Sequence, residues 1–331
     1  MSNKFIIFAH IPKTAGTSLR EAIEKVIPED EILRDYGKRS ETTSSLILDT
    51  VYQDAEYELI QYTDARHILF GHFNDSLIRL SGYQKLMPEA LLCTFLRDPI
   101  KRIVSEYCHF RNNYNYQGSF GTFFRQAPFI NRQSRSIDFL PLCVFDFVGL
   151  TEYYSLSLEM FTRMSGLKLE ENFVNRRAKT KSELSISQAE LDEFARLNID
   201  DIAAYNEATY RFLYQSGSWL PMAPKKRFVG CLAPFKGHFI SGWAADYSSF
   251  RPAEIEILQD EVLIISEDAC LFRSDVKQAR LHLSGYCGFS IPIEKLPKSV
   301  NNTSLVVRIH GGIILGTIYT SSGDSSLKCN D

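Results

Sequence analysis

"FIIFAHIPKTAGTSLREAIEKV", Phe5 to Val26, decides the fold of the first half of the chain. Phe5 to Ala9 is a short unbroken apolar run, the pattern of a strand buried on both faces in a parallel sheet. Leu19, Ile23 and Val26 then recur at helical spacing, with Thr17 or Ser18 as the expected N-cap. The turn between them carries Lys13, Thr14, Ala15, Gly16, Thr17 and Ser18. A strand running into a helix start leaves backbone N–H groups unpaired, and those groups attract anions. Gly16 permits close approach of a ligand, the hydroxyls add donors, and Lys13 adds a point charge. Such a set suits phosphate, although a plain helix cap would use the same Ser and Thr.

The turn departs from the GxxxxGK[ST] loop of nucleoside-triphosphate enzymes. One glycine, Gly16, is present, and the lysine precedes it instead of following it. A kinase or ATPase is disfavoured on that ground.

Further strands are expected at Ile68 to Phe70, ending at Gly71-His72, at Leu91 to Leu96, ending at Arg97, and at Phe145 to Leu150. Asp98 is the expected cap of a following helix with Pro99 at its first position. Lys101 and Arg102 read equally well as a solvated face of that helix. Helical patterns also cover Tyr153 to Met164, Ser187 to about Leu197 and Ile202 to Leu213. Alternating strands and helices indicate an α/β layered domain built on a parallel sheet. "PMAPKKR", from Pro221, is the expected linker. Short alternating stretches follow at 237–244, 254–258, 262–266, 288–293, 304–309 and 313–319, the last two as a hairpin about "HGG". They predict a second, smaller all-β sandwich. The expected division is 1–220, 228–320 and a loose tail at 321–331.

The 331 residues carry a formal charge of -3, with 44% apolar and 23% charged residues. That balance suggests no nucleic-acid partner. Seven cysteines stand far apart with no CxxC pair, which fits neither a disulfide scaffold nor a structural zinc site and suits a reducing compartment. No stretch reaches membrane-spanning length and the N-terminus lacks a cleavage site, so the expectation is a cytoplasmic, prokaryotic protein with no integral membrane segment.

"HIPKTAGTSL" resembles the 5′-phosphosulfate loop of sulfotransferases that use 3′-phosphoadenosine 5′-phosphosulfate. The branch it resembles contains the heparan sulfate 2-O- and uronyl sulfotransferases. "FRDPIKRIVSEYCHFR" resembles that branch's strand-to-helix segment for the 3′-phosphate, with Arg97 and Ser105 at its phosphate-binding positions. The resemblance spans about residues 4–215. It implies a P-loop-like sheet and a cofactor site of Lys13, Thr14, Ala15, Gly16, Thr17, Ser18, Arg97 and Ser105. "VNRRAKTK", Val174 to Lys181, resembles the basic segment that closes over the adenine, and Arg176, Arg177 and Thr180 are its candidates; a solvated basic loop is the alternative. Residues 236–319 resemble a β domain appended to bacterial glycosyltransferases and other sugar-modifying enzymes, with Trp243, Phe250 and Phe289 as core.

His72, after "ILFG", is the candidate base: a neutral imidazole accepts a hydroxyl proton near neutral pH, and the resembled branch uses a histidine in a comparable "GH" segment. Lys13 is the second catalytic candidate, neutralising charge on the departing phosphate. No metal is required. His10, Tyr107 and Arg111 are the candidate acceptor contacts, and Arg125, Arg132 and Arg135 are positioned to meet an anionic sugar; the same aromatic patch would also serve a subunit contact in a homo-oligomer. The function implied is sulfuryl transfer to a hydroxyl of a carbohydrate or glycan-like acceptor. A nucleotide-dependent small-molecule kinase and a non-catalytic carbohydrate-binding or assembly protein are the competing classes.

Overall fold

The structure is a computed structural model that describes residues 4–62, 68–170, 186–217, 226–235, 238–297, 300 and 303–319. It divides into two compact units, residues 1–187 with 211–219, and residues 188–210 with 220–331. The boundary expected near residue 220 would leave 188–210 with the first unit, whereas they pack with the second.

The first unit is built on a five-stranded sheet in the order β2-β3-β1-β4-β5. The strands are β1 (Ile6–Ala9), β2 (Ile32–Asp35), β3 (Ile68–Gly71), β4 (Leu91–Leu96) and β5 (Phe147–Leu150). Every pairing is parallel. Helices α1 (Gly16–Ile23), α2 (Ser45–Thr50), α3 (Leu80–Leu86), α4 (Pro99–Asn113), α5 (Phe120–Phe124), α6 (Arg132–Ser136) and α7 (Tyr154–Ser165) complete the unit. Because side chains alternate along a strand, Phe8, Phe70, Phe95 and Phe147 share one sheet face. There they meet Leu19 and Ile23 of α1 and Leu158 and Phe161 of α7. Phe8 lies 5.3 Å from Phe70 and 6.2 Å from Phe95 between ring centroids.

β2 is absent from the sequence-based reading. Its four residues, ILRD, hold two charges and no alternating pattern. Arg34 is accommodated because Glu24, just past the end of α1, and Glu29 both pair with it. The expected Asp98 cap is present: its carboxylate accepts from the Lys101 N–H at 3.0 Å, with Pro99 at the helix start. The expected cap by Thr17 or Ser18 is not. The N-cap of α1 is Ala15, in left-handed backbone with no side-chain acceptor, and Thr17 and Ser18 lie inside the first turn. Arg102 is also not on a solvated face. It is fully buried and paired to Glu106 one turn on.

The strands of this sheet end in a common row. Ala9 of β1 is paired with Gly71 of β3 and with Thr94 of β4, and Gly71 is paired with Asp35 of β2. The next residue of three neighbouring chains is therefore His10, His72 or Tyr36. Backbone bonds keep the row aligned past the strand ends: His10 N–H donates to Gly71 O and His72 N–H to Asp35 O, both at 2.9 Å.

The second unit contains α8 (Gln188–Leu197) and α9 (Ile199–Gln215) as far as Tyr210, and a β-rich region. That region holds β6 (Phe228–Leu232), β7 (Phe239–Asp246), β8 (Glu254–Gln259), β9 (Val262–Asp268), β10 (Leu271–Phe272), α10 (Ser274–Gln278), β11 (Tyr286–Pro292), β12 (Ser304–Ile309) and β13 (Ile314–Tyr319). Two four-stranded antiparallel sheets result, β10-β11-β7-β6 and β13-β12-β8-β9. Ile240, Phe289 and Ile291 of one share a core with Ile255, Ile257, Leu305, Val307 and Ile318 of the other, the layering of a sandwich. The hairpin expected about "HGG" is present, with Gly311 at φ 62°. Trp243 and Phe289 are buried as expected, while Phe250 is 39% exposed. Arg196 of α8 pairs with Glu267, and Asn206 of α9 donates to Phe250 O at 3.1 Å.

Asp35 closes β2 as a fully buried carboxylate. It accepts from Tyr52 OH (2.9 Å), Tyr83 OH (2.7 Å), Ser76 Oγ and the Gly37 N–H (3.1 Å). Donors buried without an acceptor cost more than the bond itself contributes. Asp35→Ala is thus expected to lower stability by about 3 kcal/mol, read from the urea midpoint; a change below about 0.5 kcal/mol would contradict this role.

Candidate functional site

The β1–α1 turn is held in an unusual backbone shape. Lys13 and Ala15 both lie in the left-handed region, at φ 68° and 69°, which costs about 1 kcal/mol or more per non-glycine residue. Two side chains fix it. Thr14, fully buried, donates its hydroxyl to Ile11 O at 2.9 Å. Arg97, leaving β4, donates Nη1 to Lys13 O at 3.0 Å. Thr14 therefore shapes the turn instead of gripping a ligand with its hydroxyl. Arg97 ties the second motif to the first across neighbouring strand ends. Its own backbone is clamped by the buried Gln133 amide, which accepts from Arg97 N and donates to Arg97 O, each at 2.9 Å.

Gly16 is required for a reason other than ligand approach. A Cβ at Gly16 would fall 2.1 Å from His10 Cδ2. The glycine admits the His10 ring against the first residue of α1. Lys13, Ala15 and Thr17 are half-buried around it, and Ser18 is buried.

Three rings stand on the strand-end row. His10 Nδ1 and Tyr36 OH are 2.8 Å apart. His10 and His72 have ring centroids 4.9 Å apart, and Tyr36 and His72 4.6 Å. His72 Nε2 is buried with no hydrogen-bond partner among the described residues. Burial pushes the His72 pKa down to about 4; Asp75 opposes the shift, and Arg132 and Arg20 add to it. His72 is therefore neutral at pH 7, with a lone pair available. His10 is likewise held well below its ordinary value, by burial first and then by His72, Arg20 and Lys13.

Other sequence-based candidates lie elsewhere. Ser105 is half-buried on α4, about 9 Å along the axis from its first residue. Tyr107 is packed among Tyr116, Phe120 and Phe123, with its hydroxyl donating to Gly118 O at 2.9 Å. Arg111 is exposed and lies over the Tyr107 ring, 5.9 Å from its centroid. The rise of α4 carries both away from its first turn, by about 12 and 18 Å. These two residues pack the far part of the helix rather than line the strand-end row. Arg125 stacks on Phe124 and Arg135 donates to Ala127 O; of the three arginines proposed for an anionic sugar, Arg132 is the one beside His72. Arg176, Arg177 and Thr180 lie outside the described residues. Among the described residues no group of three or more His, Cys, Asp or Glu could hold a metal ion.

Tyr36, Arg20 and Gln133 were not in the sequence-based site. One signal was present for the row: "IIFAH" and "ILFGH" both end in Phe, a small residue and His. Tyr36 follows "ILRD" and lacks that signature.

Two outcomes are expected. Gly16→Ala forces the His10 ring aside and disrupts the turn; a crystal structure of the variant with His10 unmoved would refute this. For His72, the unfolded chain titrates near 6.5 and the folded protein near 4, so the unfolded state binds more protons between those values. Stability present above pH 6.5 falls as pH drops toward 4. In His72→Phe the fall is expected to be shallower, not absent, because His10 and His282 are also held low. Urea midpoints from pH 7 to 4.5 measure it, and equal slopes would remove the assignment.

Residues 2–141 match the model of a family described as Sulfotransfer_2, "Sulfotransferase family". A solved structure, the crystal structure of a sulfotransferase from Alicyclobacillus acidocaldarius, aligns at 16% identity and a TM-score of 0.38, covering 66% of this chain and 99% of that one. No curated protein matches the chain. The part of the chain that carries the β1–α1 turn, His72 and Arg97 is thus similar to a sulfotransferase family over residues 2–141.

Proposed function

We propose that this protein moves a sulfuryl group from 3′-phosphoadenosine 5′-phosphosulfate to a hydroxyl of a carbohydrate or glycan-like acceptor. The observation that carries this reading is the strand-end row. It sets a neutral imidazole, His72, 4.9 Å from the ring that leans on the anion-binding turn. The strand, turn and helix are P-loop-like in layout, with the lysine moved ahead of the glycine.

The residues present suit the cofactor. The N-cap of α1 offers no side-chain acceptor, and a helix start attracts an anion. Lys13, Gly16, Thr17 and Ser18 would hold the 5′-phosphosulfate. Arg97 and Ser105, with Arg176, Arg177 and Thr180, are assigned to the 3′-phosphate and adenine. When bound, the cofactor supplies an activated sulfuryl group. His72 receives the acceptor's hydroxyl proton on a ring nitrogen. An imidazole near pKa 4 is a weak base. Anions arriving beside it favour its protonated form and raise that value. Lys13 balances charge on the departing phosphate. The described cysteines are all free thiols, which supports a cytoplasmic setting. Among the described residues no helix is long and apolar enough to cross a membrane. The β-rich unit is proposed as an accessory domain.

Calorimetry with 3′-phosphoadenosine 5′-phosphate is expected to show binding that ATP with magnesium does not match. Preference for ATP would sink the assignment. In a sulfate-transfer assay over glycan acceptors, His72→Ala is expected to lose about 10²–10⁴ in kcat with nucleotide affinity within about threefold. Unchanged turnover would remove His72 as the base.

A further inference from the structure

His10 is the most enclosed ring of the row, 8% exposed. Its Nδ1 is engaged by the Tyr36 hydroxyl. Its Nε2 has no hydrogen-bond partner among the described residues, and the Cβ that Gly16 lacks would sit 2.6 Å from that atom. Nε2 therefore faces the first residue of α1, at a helix start whose N-cap offers no acceptor. We propose that His10 is a neutral N–H donor to the anion in the β1–α1 turn. Tyr36 is the positioning residue that keeps the proton on Nε2 by donating its own hydroxyl hydrogen to Nδ1. The inference rests on the reading that this turn holds the cofactor's 5′-phosphosulfate, and it moves His10 from the acceptor to the cofactor.

A neutral imidazole has one N–H and two nitrogens to place it on, and the partner of one nitrogen decides the other. Burial and the neighbouring His72, Arg20 and Lys13 keep His10 neutral. The direction of the Tyr36 bond follows from its other neighbour. Burial pushes the Tyr36 phenol up, and the charge of Arg20 pulls it back. The positive charge of Arg20 favours a phenol that turns its oxygen lone pairs toward it and its single hydrogen toward His10. The opposite tautomer would aim the Nε2 lone pair at an anion. The same geometry explains Gly16, whose missing side chain leaves room for the ring.

The test uses the full chain. Nitrogen-15 spectra of the labelled histidine rings, with His10 assigned by its loss in His10→Gln, are expected to show His10 protonated on Nε2 and bare on Nδ1. Tyr36→Phe is expected to shift that signal toward a mixture of tautomers. Protonation on Nδ1 in the unsubstituted protein would overturn the inference. Calorimetry with 3′-phosphoadenosine 5′-phosphate gives the second readout. His10→Gln, whose amide N–H reaches the Nε2 position, is expected to bind within about threefold of the parent. His10→Phe fills the space without a donor and is expected to weaken binding about tenfold or more. Should that variant not fold, His10→Asn, which places its amide nearer the Nδ1 position, is expected to show the same weakening. Equal affinity in the parent and His10→Phe, or in the parent and His10→Asn, overturns this inference alone. No binding to the parent overturns the cofactor assignment and the inference together.

Discussion

The site depends on one constraint of parallel sheets: neighbouring strands that stop together present their next residues side by side. β1, β2 and β3 each have four residues, and Ala9, Asp35 and Gly71 share a row. His10, Tyr36 and His72 follow without a gap. No loop has to fold over to bring them within about a ring's width; the backbone ladder does so, extended by one bond between each neighbouring pair of strands. Ligands of open α/β sheets gather at these carboxyl ends, and here the sheet order β3-β1-β4 also brings Arg97 to the same edge.

The turn next to that row is strained, and the surrounding groups say what holds it. Two non-glycine residues in left-handed backbone persist only where other contacts over-determine them. Thr14 draws on Ile11, and Arg97 draws on the carbonyl of Lys13. The Gln133 amide then holds the Arg97 backbone by two bonds. Charge is distributed to the same end. Lys13, Arg20 and Arg132 stand beside two histidines that burial keeps uncharged, so the positive potential of the edge comes from the lysine and the arginines.

What the sequence made legible follows from the length and purity of its signals. "FIIFA" and "ILFG" are unbroken apolar runs and "LLCTFL" is interrupted by Thr94 alone, and all three are strands of the parallel sheet. Lys13, Gly16, His72 and Arg97 were singled out because each follows such a run. β2 was not legible because Arg34 sits in its middle and is tolerated only through Glu24 and Glu29, which lie outside the strand. With β2 missing, Tyr36 had no place in the sheet, and the partner of His10 was lost with it. Tyr107 and Arg111 are a different case: a motif on a helix says which residues are near in sequence, but 1.5 Å of rise per residue soon carries them away from its first turn. Gln133 had no local signal, since its role exists only through the backbone of a residue 36 positions away.

The two compact units are interleaved along the chain. Residues 211–219 return to the first after 188–210 have joined the second. A growing polypeptide therefore delivers the last piece of its N-terminal unit only after α8 and most of α9 have emerged. Their partners Glu267, Phe250 and Ser284 are then still to be made. During synthesis those helices wait with an apolar face uncovered, Phe194, Ala195, Ile202 and Tyr205 among it. The vulnerable interval in the life of this protein lies between translation of α8 and completion of the β-rich region.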